Sequence, residues 1–164
     1  MSDMSSWVSK IPMDTVKAIA AKFSLDYRLV TAIIMQESGG KSFAMRHEPR
    51  YKYLFSPDKL AKTVGCTMET MVVMQMTSWG LMQVMGAVAY EDGFPTTQYV
   101  SQLVIPTIGI EYGCKRLSRL WGKYKTIDQV ISAYNAGSLS MTPDGKYKNQ
   151  AYVDSVLRYM VEVT

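Results

Sequence analysis

The chain has 164 residues, room for roughly one domain of about 150 residues. Hydrophobic residues make up 48% and charged residues 20%, which excludes disorder, a collagen-like repeat and a small disulfide-held scaffold. Lys and Arg outnumber Asp and Glu by 18 to 14, for a net charge of +4. That mild surplus suits an anionic polymer of some kind, whether nucleic acid, anionic lipid or an acidic cell-envelope polymer.

In chain order, Pro12 and Asp14 open a stretch where Val16, Ile19, Ala20 and Phe23 recur at intervals of three and four, predicting a first helix over 13–23. Ser24 or Asp26 caps a second, with Leu29, Val30, Ile33, Ile34 and Glu37 on one pattern and Gly39-Gly40 as its stop. Residues 41–55 lose the pattern and read as an ordered loop or short hairpin. Ser56-Pro57-Asp58 reads as an N-cap followed by Pro at the first helical position. Thr67 caps a helix over 68–76, whose continuation meets Ser78-Trp79-Gly80, and a further helix is expected over 81–90. Pro106 opens a longer helix with Ile110, Cys114, Leu117 and Trp121 on one side. Thr126 caps 127–136, Gly137 ends it, and a last helix covers about 149–161. The expectation is one all-α domain of seven or eight helices, or α+β if the hairpin forms.

The uncharged run 71–90 is interrupted by Gln75, Thr77, Ser78, Gly80, Gln83 and Gly86, so no stable membrane insertion is expected. Cys66 and Cys114 fit no metal-ligand spacing; two buried free thiols are expected over a disulfide, and no metal or organic cofactor. The thirteen Met residues fall among helical apolar positions and read as core filling. The basic run Lys115, Arg116, Arg119, Lys123 and Lys125 has the spacing of one solvated helix side. Nucleic-acid binding would want such cations interleaved with exposed aromatics, so nucleic acid is not an expected partner. Residues 1–9 lack the apolar core of a secretory signal, and no Sec-type export is expected.

Glu37 falls on the apolar side of its helix, four residues after Ile33 and three after Ile34. An ionised carboxylate there loses hydration and meets the negative end of the helix dipole, and both effects push its pKa upward. A carboxyl still protonated near neutral pH is what a general acid requires; the plain alternative is a Glu swung to solvent from the last turn. Two further segments stand out. Ser78-Trp79-Gly80-Leu81-Met82-Gln83 sets an amide at an expected helix opening with free N–H groups, and Ala133-Tyr134-Asn135-Ala136-Gly137 ends a helix on an aromatic, an amide and a cap glycine.

Taken in order, Glu37-Ser38, Gly80-Leu81-Met82-Gln83, Ala133-Tyr134-Asn135-Ala136-Gly137 and Tyr152-Val153 resemble the four motifs of the soluble-type lytic transglycosylases. The resemblance runs from about Met13 to Tyr159. It implies a lysozyme-like fold of the goose type around a substrate cleft, in a single catalytic domain over 1–164. Residues 1–11 would be an N-terminal extension. Residues 41–77 would be an insertion, being longer than the loop of the cellular enzymes; Ala44-Met45-Arg46-His47-Glu48-Pro49 within it looks like versions in bacteriophage wall-degrading enzymes.

The resemblance implies cleavage of the β-1,4 bond between N-acetylmuramic acid and N-acetylglucosamine in peptidoglycan, ending in 1,6-anhydromuramic acid. Glu37 would act as acid and then base, and the substrate acetamide would replace a second carboxylate. Gln83 would bond sugar acetyl or hydroxyl groups, Ser38 and Ser78 would orient Glu37 or the acetamide, and Asn135 would contact the glycan. Tyr134 would shape the subsite wall, and Tyr152 would steer the acetamide. Trp79 could serve as a sugar platform or as core, and His47 as a substrate contact or a surface residue. Glu48 is the candidate second carboxylate, which would make the enzyme a muramidase of the lysozyme kind; Asp58 and Asp92 are poorer candidates. A non-catalytic wall-binding or virion structural protein is the remaining alternative. A monomer acting on glycan strands is expected. It would be released by a phage at lysis, carried in the particle, or serve as a bacterial secretion-system accessory, reaching the wall by delivery from elsewhere.

Overall fold

A computed structural model describes residues 11–163; residues 1–10, nearly all of the expected N-terminal extension, lie outside them. The first two helices, α1 (Met13–Lys22) and α2 (Tyr27–Ser38), follow the expected boundaries closely. Asp26 caps α2 by accepting the Arg28 N–H at 2.9 Å, and Gly39 ends it in the left-handed region at φ 58°. Leu29, Val30, Ala32, Ile33 and Ile34 are at most 1% exposed. A helix buried on nearly all sides is a central one, and each large aliphatic it buries contributes about 1.5–3 kcal/mol.

After α2 come β1 (Met45–His47), α3 (Pro57–Val64), α4 (Met68–Gln75), β2 (Thr77–Trp79), β3 (Val84–Met85) and α5 (Gly86–Glu91). A 3-10 helix (Val100–Val104) leads into α6 (Pro106–Lys123), α7 (Ile127–Ala136) and α8 (Gln150–Glu162). Among the described residues there are thus eight α-helices and one small antiparallel sheet in the order β1-β2-β3. The helix count and the small β element agree with expectation. α2 packs most extensively on α8, whose Val153 and Val156 are fully buried. No helix among the described residues is long and apolar enough to cross a membrane.

Four local expectations are corrected. Residues 81–90 are not one helix: the chain reverses at Gly80 (φ 72°) and Gln83 (φ 49°), so that Val84 and Met85 pair with Trp79 and Ser78, and only then does α5 begin. Ser56 precedes α3 in the left-handed region, at φ 38°, and makes no side-chain cap. Trp121 is 38% exposed, because Leu120 takes the core position in the last turns of α6. Cys114 is buried but Cys66 only half-buried, and both are free.

Close backbone approaches fix the turn between β2 and β3. A Cβ on Gly80 would overlap the Leu103 carbonyl of the 3-10 helix, and one on Gly113 of α6 would overlap the buried Met82 side chain. The Ser38 hydroxyl donates to the Leu81 carbonyl at 2.8 Å and so ties the end of α2 to the same turn. Residues 41–77 are anchored separately. The buried Gln75 amide accepts the Phe55 N–H at 2.7 Å and donates to the Phe55 carbonyl at 3.0 Å.

Gly65 (φ 82°) has open space where a Cβ would go, so Gly65→Ala is expected to lose only the backbone preference, about 1 kcal/mol. Gly80→Ala adds overpacking against Leu103 and is expected to lose a further 1–3 kcal/mol or so. Chemical denaturation of both variants measures the difference, and equal losses would show that the turn gives way.

Candidate active site

The last turn of α2 delivers Glu37 to the floor of a cleft of about 760 Å³. Desolvation raises the Glu37 pKa above its ordinary value, opposed by the hydrogen bond from Tyr152 and by the positive charge of Arg46. The Tyr152 hydroxyl donates to Glu37 Oε1 at 2.5 Å. Burial and the neighbouring Glu37 charge raise the phenol's own pKa, so Tyr152 stays a donor. Because Tyr152 belongs to α8 and Glu37 to α2, the most extensive helix pair in the fold sets this contact.

Two amides line the cleft with opposite polarity. Gln83 Nε2 donates to the carbonyls of Ala44 at 3.1 Å and Gly80 at 2.9 Å. Both donor hydrogens are spent, leaving Oε1 as the group able to meet a ligand. Asn135 is the reverse. Asn149 Nδ2 donates to the Ser132 carbonyl at 3.0 Å and to Asn135 Oδ1 at 2.9 Å, while Asn149 Oδ1 accepts from the Ser132 hydroxyl at 2.7 Å. The Ser132 carbonyl can only accept, which fixes the orientation of Asn149 and, through it, leaves the Asn135 NH₂ as the open group.

The structure brings Glu37, Glu48, Ser78, Gln83, Tyr134 and Asn135 to one cleft, with Tyr152 against Glu37. Ser38 does not line it; its hydroxyl is spent on the carbonyls of Ile34 and Leu81. Gln83 lies in the β2–β3 turn, not at a helix opening. Tyr134 donates its hydroxyl to the Met82 carbonyl at 2.8 Å, bracing the turn that carries Gln83. Ser78 is 5% exposed, with its hydroxyl on the Met85 sulfur at 3.1 Å. Trp79 is core: 8% exposed, with its indole N–H on the Met74 carbonyl. His47 is exposed on β1 and outside the cleft lining. Glu48 is ion-paired with Arg46. Asp58 sits in the first turn of α3, and the buried Asp92 pairs with Arg119.

Several cleft residues were not read as site candidates from the sequence. Arg46, Arg50, Tyr51 and Tyr53 come from the aperiodic stretch after α2, and Arg116 from the basic run on α6. Asn149 was missed because its partner Asn135 lies on another helix, although an Asn opening an expected helix was a visible signal.

A carboxyl group at the end of a central helix, in a cleft lined by the small sheet and by helices, is the arrangement expected of a lysozyme-like fold. The transglycosylase SLT domain model matches residues 14–154, and the chain belongs to that family, the soluble lytic transglycosylases, whose substrate is peptidoglycan. A comparison with curated proteins finds no match.

The raised Glu37 pKa has a thermodynamic counterpart. Well below the ordinary carboxyl value both folded and unfolded chains hold the proton, and Glu37 costs nothing; between the ordinary and the raised value the unfolded chain releases its proton while the folded chain still holds it, so stability falls as pH rises across that window and levels off above it. The isosteric Glu37→Gln removes the ionisable carboxyl and is expected to raise Tm near neutral pH, with the gain shrinking toward about pH 4. Thermal melts across pH test this, and a gain that grew on acidification would contradict the burial argument.

Proposed function

We propose that this transglycosylase cleaves the bond between N-acetylmuramic acid and N-acetylglucosamine with Glu37 as its sole acid and base. Glu37 protonates the glycosidic oxygen as the C1–O bond breaks, and the acetamide oxygen of the muramic unit closes on C1 in place of a second carboxylate. The C6 hydroxyl then attacks C1, the C1–acetamide bond breaks, and the Glu37 carboxylate takes the hydroxyl proton. The proton balance closes and no water is consumed. The product ends in 1,6-anhydromuramic acid.

The observation that carries this reading is the Glu37–Tyr152 pair. Its carboxyl has a raised pKa, yet the phenol supports the anion formed after the first proton transfer. Gln83 Oε1 and the Asn135 NH₂ offer an acceptor and a donor that match the N–H and C=O of acetamide groups. The hydrolytic alternative would use Glu48, which shares the cleft and is ion-paired there with Arg46. We further propose that residues 41–77 are an insertion within a single catalytic domain, and that the setting is wall degradation by a phage enzyme. The second of these is supported by the sequence at 44–49.

Mass spectrometry of digested peptidoglycan is expected to show muropeptides one water lighter than hydrolysis products; hydrated reducing ends would refute the mechanism. Glu37→Gln is expected to lower turnover by about 10²–10⁴-fold while the fold persists. Near-parental turnover would move the acid to another residue.

Tyr152→Phe removes the hydrogen bond that lowers the Glu37 pKa and leaves an apolar edge against the carboxyl. The alkaline limb of the kcat/KM–pH profile, where Glu37 loses its proton, is therefore expected to move to higher pH. A role confined to packing would lower the rate without moving that limb.

A further inference from the structure

Three arginines line the cleft, and they are not equivalent. Arg46 is held by Glu48. Arg50 and Arg116 have no hydrogen-bond or ion-pair partner among the described residues. Arg50 is exposed in the loop after β1, whereas Arg116 is half-buried on α6. Both line the cleft together with Tyr51, the residue after Arg50; burial raises the Tyr51 phenol pKa, the Glu91 charge adds to that rise, and the Arg116 charge opposes it. Tyr51 meets Tyr53 edge to face at 5.8 Å, and Tyr53 is 77% exposed, so this side of the cleft offers aromatic surface beside two unspent guanidinium groups.

An unspent guanidinium in a cleft is a planar fork suited to carboxylate or phosphate. The sugar hydroxyls and acetamides of a peptidoglycan strand are neutral. Its carboxylates lie on the peptide stems attached to the lactyl groups, or on the lactyl groups themselves once the stems are removed. A phosphate polymer fits less well, because it would bring a charge at every repeat to a cleft that Glu37, Glu48 and Glu91 also line, whereas a peptide stem brings only a few carboxylates.

We propose that Arg50 and Arg116 form a carboxylate-binding subsite for the peptide stem of the glycan strand, making the enzyme selective for peptide-bearing over stripped glycan. Tyr51 and Tyr53 form the apolar border of that subsite. It rests on the transglycosylase reading above, and it deepens that reading by naming the form of the substrate.

The test compares kcat/KM on soluble peptide-bearing glycan strands with kcat/KM on the same strands after an amidase has removed the stems. The parent enzyme is expected to prefer peptide-bearing strands by about tenfold or more, the size of one or two charge-assisted hydrogen bonds. The Arg50→Gln/Arg116→Gln double variant is expected to bring that ratio to about one, and Arg50→Lys/Arg116→Lys to an intermediate value that falls with added salt. Should the double variant melt early, the exposed Arg50→Gln alone carries the test and is expected to lower the ratio by several-fold. A parental ratio near one would overturn the proposal. So would equal losses on both strands, since those would assign the arginines to cleft shape or to the lactyl carboxylate. The masses of the products decide the reaction chemistry separately, because hydrated ends with an intact ratio would sink the mechanism and leave the subsite standing.

Discussion

A carboxyl group set among the aliphatic side chains of α2 is penalised whenever it ionises, and the fold around Glu37 moderates that penalty without abolishing it. Hydration is denied by burial, while partial relief comes from one phenol and one nearby guanidinium. If Glu37 were fully solvated it would lose its proton too readily to act as an acid near neutral pH. If it had no partner at all, the anion left by the first proton transfer would be poorly supported. The balance depends on the position of Tyr152, and that position is set by α8 lying along α2. Packing of two helices, with Ile33, Ile34, Val153 and Val156 all fully buried, is therefore what sets the electrostatics of a single proton.

The same logic extends outward from Glu37. Ser38, the next residue, does not line the cleft; it grips the Leu81 carbonyl and so holds the β2–β3 turn against the end of α2. Tyr134 grips the next carbonyl, at Met82. With both bonds made, Gln83 has little freedom, and its two donor hydrogens are absorbed by Ala44 and Gly80. Asn149 does for Asn135 what those carbonyls do for Gln83. Each cleft amide is thus given one polarity by groups outside the cleft lining, which is how a primary amide with two interchangeable ends comes to present one of them.

Most helices were legible because their signals are local. Asp26, Thr67 and Thr126 cap the helices they precede, and the three-and-four spacing of α2 placed Glu37 on its apolar side without any tertiary information. The helix expected over 81–90 failed because Leu81, Val84 and Val88 satisfy a helical spacing while Gly80 is fitted against Leu103, a backbone contact 23 positions away. Motif order brought Gln83, Asn135 and Tyr152 to attention, yet the sequence held no sign that Ser38 would turn its back on the cleft. Arg50, Tyr51 and Tyr53 sit in a stretch with no periodicity, so nothing local marks which of its side chains face inward.

The basic run on α6 shows how a charge cluster divides once it is folded. Read as a line of residues, Lys115, Arg116, Arg119, Lys123 and Lys125 form one solvated stripe. In the fold Arg119 is bound to Asp92, a buried carboxylate whose other oxygen, Oδ2, has no partner among the described residues. Lys123 lies over the Tyr124 ring, and Arg116 turns into the cleft. The Asp92–Arg119 pair links the end of α5 to α6 and so holds the register of α6 along the cleft, one turn away from Arg116. A net charge of +4 acts at long range and fades within about 10 Å at ordinary salt. A single arginine held in a partly desolvated wall is screened much less, so within the proposed subsite Arg116 is the group that salt weakens least, while the exposed Arg50 and the rest of the surplus are screened more strongly.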